Sequence, residues 1–218
     1  MNGYFSRIRM SASHGLNPVL ARRLTEGYGL HQSLWQLFSE TGDEARDFLY
    51  RRLEDPGLPA FYAVSSRAPK VDDPLWTVET KPYAPVIAAG TTFAFSLRAN
   101  ATRSTHDPET GKEKRHDAVL HGRRSGVVAS GPVGLQEAGR SWLEERAERA
   151  GFRLLQAQVD GHRDYRLSVK GKAPIRFSTI DLEGVLEVVD PDRFQRTLFQ
   201  GLGRSRGFGC GLLLIRHV

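Results

Sequence analysis

Cysteine is nearly absent from this chain, with Cys210 the only one in 218 residues. A lone thiol excludes an internal disulfide framework and a thiolate zinc cluster. A reducing cytoplasm is the expected setting. Long apolar runs are also missing. Stretches such as 85–89 and 212–215 are far too short to span a bilayer, so no membrane partner is expected. Arg7, Arg9 and His14 interrupt the region where an export signal would need an apolar core. The Gly-Lys-Ser/Thr ending of a nucleotide phosphate loop does not occur. No two histidines have ligand spacing on a predicted element, and neither a metal nor another cofactor is expected.

What is present describes a folded, basic protein. Hydrophobic residues make up 39% and charged residues 26% of the chain, a balance that excludes wholesale disorder. Lys and Arg total 31 against 25 Asp and Glu, a formal charge of +6. That surplus suits a polyanionic partner without naming one.

Alternation through Tyr4–Met10 predicts a first strand. Asn17-Pro18 offers an N-cap and a proline at the first helical position, and a further helix is expected over 30–38. The run from Phe48 to Leu53 fits strand or helix; the turn at 55–57 favours a strand paired with another at 60–65. Strands are expected at 76–81 and 91–100. From Arg103 to Arg124 periodicity disappears, and a surface loop or connection is expected. An amphipathic helix then runs through Leu135, Trp142 and Ala147 to Gly151. Strands follow at 152–158, 165–169, 175–182 and 185–189. Asp190-Pro191 opens a last helix, and 212–215 closes the chain as a strand. The order predicts an α+β fold of tandem ferredoxin-like (RRM-like) domains with a C-terminal glycine-rich loop. The boundaries are 1–103, a charged connection at 104–121, and 122–218.

Two patterns suit phosphate. The first is the loop holding Gly201, Gly203, Gly207, Gly209 and Gly211 with Arg204 and Arg206 among them. Glycines allow close backbone approach, and arginines add charge-assisted contacts. A tight helix-to-strand turn packed on its own sheet fits the same residues. The second is the hairpin bearing Arg163, Arg166, Lys170, Lys172 and Arg176, which can track the phosphates of an RNA stem. An ordinary solvated hairpin is the alternative. His31 falls on the apolar arc of its helix, where a structural histidine is as natural as a catalytic one.

The segments GLGRSRGFGCGLLLI and YGLHQSLWQLF, with the opening strand, resemble the type I-E CRISPR repeat-processing endoribonucleases, the CasE family of the RAMP superfamily. The resemblance covers essentially the whole chain. It implies metal-independent cutting of CRISPR precursor RNA beside the repeat stem-loop. In that chemistry the ribose 2′-hydroxyl attacks the adjacent phosphorus and leaves a 2′,3′-cyclic phosphate. It also implies that the protein is monomeric by itself, keeps the mature crRNA, and joins other subunits of the Cascade complex. A non-cleaving RNA-binding scaffold of the same superfamily is the alternative. The family's catalytic histidine corresponds to His31 and its helping tyrosine to Tyr28. Members often carry a basic residue one or two turns after the histidine; here Gln32, Ser33 and Gln36 stand there. The neutralising charge is therefore expected from Arg22, Arg23 or an arginine of the second domain.

Overall fold

The computed structural model describes residues 2–11, 27–39, 46–54, 58–107, 109–126, 129, 131–169 and 171–218. The expected helix after Asn17-Pro18 lies outside them. The first sheet contains β1 (Gly3–Met10), β2 (Phe48–Arg52), β3 (Ala60–Ser65) and β4 (Trp76–Tyr83), in the order β2-β3-β1-β4. Its ladders are antiparallel, with Ile8 opposite Phe61 and Val78. Helix α1 (Gly27–Phe38) covers one face. Its apolar side, Leu30, Leu34, Leu37 and Phe38, packs on Ile8, Met10, Phe48, Phe61 and Trp76. Leu34 and Ile8 are fully buried, as the strand and helix periods require.

The second sheet has the order β10-β5-β9-β8, from β5 (Thr92–Ala99), β8 (Phe152–Val169), β9 (Lys172–Val188) and β10 (Leu213–His217). The fold is thus α+β, with duplicated four-stranded sheets that resemble ferredoxin-like domains. β5 precedes residue 103, yet its partners are β9 and β10. The sheets therefore part between β4 and β5, ahead of the charged stretch. Phe93, Phe95 and Leu97 turn their alternate positions into the second core with Trp142, Leu143, Leu182 and Phe194. Helix α3 (Gly131–Ala150) and helix α4 (Pro191–Gln200) complete that core. The α4 start is as expected: Asp190 accepts from the Arg193 N–H at 3.0 Å, and Pro191 occupies the first turn.

Two expectations need correction. Residues 103–124 are not a loop. They form a hairpin of β6 (Thr102–His106) and β7 (Glu113–Asp117), then helix α2 (Ala118–Arg124). The Asp107 carboxylate accepts from the Glu109 and Thr110 N–H groups, both at 3.1 Å, and so shapes the turn. Cross-strand pairs such as Ser104–Arg115 and Thr105–Lys114 are polar, so no apolar alternation marks the strands. The hairpin instead leans on α3 through Arg103, which donates to Ser141 Oγ at 2.8 Å.

Likewise, the expected short strands after Gly151 are two long ones. β8 and β9 pair from Phe152–Val188 to Val169–Lys172, with bulges at Leu154/Gln156, Asp160/His162 and Leu167/Val169. Gly184 permits the first of these. A Cβ there would lie 2.0 Å from the Gln156 carbonyl oxygen.

The units meet through Leu49, Val64 and Leu212, flanked by Phe5, Tyr83 and Phe199. An ion-pair network adds to the seam. Arg98 holds Asp181 through two 2.8 Å hydrogen bonds and Glu54 through one of 2.6 Å. No helix among the described residues is long and apolar enough to cross a membrane.

Candidate functional site

The glycine-rich loop returns to the N-terminal sheet and ends against the first turn of α1. It is tied at its base by Leu202 N–H to Gly211 O at 2.9 Å and Gly211 N–H to Arg98 O at 2.8 Å. A bridge joins Asn100 to Arg204, and a 3-10 turn spans Arg206–Phe208. Gly201, Gly203, Gly209 and Gly211 all have φ near +80°, between 74° and 89°. Their Cβ positions are also occupied: at Gly203 by Trp142, at Gly209 by Tyr50. These glycines shape a packed turn. Gly207 differs. Its φ is ordinary, and a Cβ there would meet Arg46 Nη1 at 2.6 Å and His31 Cε1 at 3.2 Å. The bare backbone of Gly207 thus faces the imidazole and a guanidinium together.

His31 is half-buried between Trp35, with ring centroids 5.6 Å apart, and Phe208, at 5.5 Å. Burial lowers its pKa below the usual value of 6.5; a hydrogen bond to the Gly207 backbone opposes this, and the Arg46 charge adds to the lowering. The neutral imidazole therefore dominates at pH 7. Tyr50 supports the arrangement from β2. Its buried hydroxyl donates to the Gly207 carbonyl at 2.9 Å, and burial pushes the phenol upward, so it remains a donor. Cys210, fully buried next to this turn, has its thiol pushed up to about 12 by burial and is inert as a nucleophile.

An aromatic row leads from His31 along the β8–β9 ribbon. Phe208 lies 5.4 Å from Phe177, and Phe177 stacks on Tyr165 at 5.0 Å with 7° between planes. Beside the row is a groove of about 830 Å³ lined in part by Arg115, Arg166, Arg176 and Arg204. Arg166 and Arg176 face each other directly in the ladder, a like-charge pair that an anion would relieve.

The expected site residues thus divide. His31 and Gly207 come together beside Phe208, with Arg206 in the same turn. Arg166, Arg176 and Arg204 share the groove. Arg163 instead donates to Glu54 Oε1 at 2.6 Å, which engages its charge at the seam. Gly201, Gly203 and Gly209 lie in the closely packed part of the turn. Tyr28 is in α1, but its side chain lies outside the described structure, as do the Lys172 side chain and all of Arg22, Arg23 and Lys170. Arg46 and Tyr50 were not foreseen. Arg46 sits in the polar run TGDEARD, where nothing distinguishes it from a solvated arginine. Among the described residues, no group of three or more His, Cys, Asp and Glu could hold a metal ion.

A duplicated-sheet α+β protein with a basic, aromatic-lined groove has the make-up of an RNA-binding protein. The comparisons narrow that class. A family model described as CRISPR associated protein matches residues 3–217. The chain is 31% identical over 225 residues to the CRISPR-associated endoribonuclease Cse3 of Thermus thermophilus, covering 92% of this chain and 96% of that protein. It is 30% identical over 189 residues to the Cascade subunit CasE of Escherichia coli, covering 85% and 89%. Among solved structures, a Cse3 endoribonuclease bound to a 19-nucleotide RNA superimposes with a TM-score of 0.72 at 26% identity, covering 99% of this chain and all of that one. The chain belongs to the type I-E CRISPR Cse3/CasE endoribonuclease family of the RAMP superfamily.

Proposed function

We propose that this protein is the endoribonuclease that cuts CRISPR precursor RNA beside the repeat stem-loop and retains the mature crRNA as a Cascade subunit. The sheets are read as tandem ferredoxin-like units. The first carries His31; the second carries the basic ribbon and the C-terminal glycine-rich loop. The observation that supports the reading most is the meeting of His31, Arg46 and the bare Gly207 backbone, contributed by three distant segments.

The chemistry follows from those groups. The ribose 2′-hydroxyl attacks the adjacent phosphorus, and the 5′-oxygen leaves with a proton. A neutral imidazole can take the first proton, and its conjugate acid can give the second. Negative charge grows on the phosphoryl oxygens as the bond forms. Arg46, whose pKa is lowered by burial and further by the nearby Arg206 charge, would stabilise that charge together with Arg206. They occupy the role that Gln32, Ser33 and Gln36 cannot fill. Tyr28 would orient the 2′-hydroxyl. The product is a 2′,3′-cyclic phosphate, and no step calls for a metal.

The test is cleavage of repeat RNA in EDTA, with a matched RNA carrying a single 2′-deoxy nucleotide upstream of the cut. The normal RNA should be cut to a cyclic phosphate end and the deoxy RNA left intact. His31→Ala should abolish cutting and leave stem-loop affinity within a few fold. Cutting of the deoxy RNA, or a parental rate in His31→Ala, would overturn the mechanism. Tight binding without any cutting by the parent would instead identify a scaffold.

A further inference from the structure

The loop has a second basic face that shares only Arg206 with the cutting chemistry. Behind Gly201–Gly203 lies a cavity of about 520 Å³ between α3, the end of α4 and β6. Arg146, Arg149, Arg204 and Arg206 line it, together with Thr102, Ser104 and Gln200, and its described lining includes no carboxylate.

Of these arginines only Arg146 has an ion pair among the described residues, a long one with Glu145. Arg146 is fixed over the Trp142 ring at 4.3 Å and donates to the Trp142 and Thr102 carbonyls at 2.7 and 3.0 Å. Burial lowers its pKa, as do the nearby charges of Arg149 and Arg103. Glu145 partly offsets this crowding: it pairs with Arg103 and lies 3.5 Å from Arg146 Nη1. Arg206 anchors its Nε on the Gly203 carbonyl at 3.1 Å, which leaves the other guanidinium N–H groups for a ligand. Arg149 and Arg204 are exposed and form no ion pair among the described residues. Four guanidinium groups around one hollow, two of them held in place and none matched by a carboxylate in its described wall, make a site for phosphate.

The cavity shares part of its wall with a hollow next to the cutting site. Arg206 and Gln200 also line a neighbouring hollow of about 250 Å³ together with Arg46 and Asp47, whose carboxylate is paired with Arg67. Arg46 is the guanidinium beside His31. A line of positive charge therefore runs from His31 past Arg46 and Arg206 to Arg204 and Arg149. The β8–β9 groove leaves His31 along the aromatic row and meets the cavity at Thr102 and Arg204, while Arg149 lines the cavity and not the groove.

We propose that this cavity holds backbone phosphates of the unpaired RNA strand that continues from the cut, with Arg149 and Arg204 as its contacts. The proposal rests on the endoribonuclease reading. It adds a binding path for the strand outside the stem. A strand gripped there would be drawn taut across Gly207, which helps to place the scissile phosphate.

The test uses the full chain and RNAs blocked by a 2′-deoxy nucleotide at the cut. One RNA ends at the stem; two others carry a short unpaired extension on the 5′ or the 3′ side. One extension should tighten parental binding, and Arg149→Glu should lose about tenfold in affinity for that RNA alone, with a salt slope shallower by about 0.7 or more. Arg149→Ala should lose less. Stem-only affinity should stay within about twofold, a control for folding. Equal gains from the extension in parent and Arg149→Glu would overturn the proposal, as would no gain in the parent. A cavity that serves a protein neighbour would give the former result. A parent that cuts normal repeat RNA while failing these tests leaves the function standing and removes only the strand path. A parent that neither binds nor cuts repeat RNA removes both.

Discussion

Gly207→Ala puts the site geometry to a direct test, because one methyl group enters the space between His31 and Arg46. The backbone imposes no penalty, since φ at Gly207 is not positive. The added carbon would lie 2.6 Å from Arg46 Nη1, 3.2 Å from His31 Cε1 and 3.5 Å from His31 Nδ1. Carbon atoms settle at roughly 3.5–4.0 Å. Arg46 ends a long, exposed side chain and can swing away at little cost. His31 has less room, because Trp35 and Phe208 flank its ring. Local crowding should destabilise by about 1 kcal/mol. The stiffer unfolded chain returns about 0.4–1 kcal/mol. The two nearly cancel, and Tm should move by less than about 4 °C. Cutting should respond far more. Losing one charge-assisted hydrogen bond to the transition state costs about 1.5–3 kcal/mol, or about 10- to 160-fold in rate. Single-turnover cleavage at saturating protein, paired with a thermal melt and a stem-loop titration, separates these effects. A parental rate in the folded variant would refute the placement of Gly207, His31 and Arg46 around the scissile phosphate.

Other perturbations follow from the same geometry. Arg46→Ala should slow cutting and raise the His31 pKa, since the Arg46 charge helps to lower it; the acid limb of the pH–rate profile should move to higher pH. Because the folded pKa of His31 is depressed, its contribution to stability is complete above its ordinary value near 6.5 and is lost as pH falls through the folded value; urea midpoints across pH 5–8 should show that loss in the parent and not in His31→Gln. Tyr50→Phe should cost about 1–2 kcal/mol by leaving the buried Gly207 carbonyl without its hydroxyl donor, read as a lower Tm with slower cutting. Arg166→Ala should act in opposite senses on binding and folding. RNA affinity should fall with a salt slope shallower by about 0.7–1, while the melt stays level or rises, because relief of the Arg166–Arg176 repulsion offsets the truncated side chain.

Local rules were enough for much of this molecule. Alternation wrote β1 into the chain, a 3.6-residue apolar stripe wrote α1, and Asp190-Pro191 wrote the start of α4, because each is decided by neighbours a few residues away. The motifs around His31 and Gly207 likewise carried the family in plain view. The tertiary structure decided what depends on distant partners. β6 and β7 carry polar side chains and become strands only through their mutual hydrogen bonds and the support of α3. β5 looks like a member of the first unit until β9 and β10 claim its edges. Arg163 and Arg166 look equivalent on one ribbon, yet Glu54 from another segment reaches only the first. Arg46 is an ordinary surface arginine by sequence. It becomes the cation beside His31 because a glycine loop, more than 150 residues away in the chain, folds back between them and has no side chain to keep them apart. Patterns along a chain report which face each residue prefers; charge and proton chemistry depend on which side chains share a few ångströms of low-dielectric space, and only packing settles that.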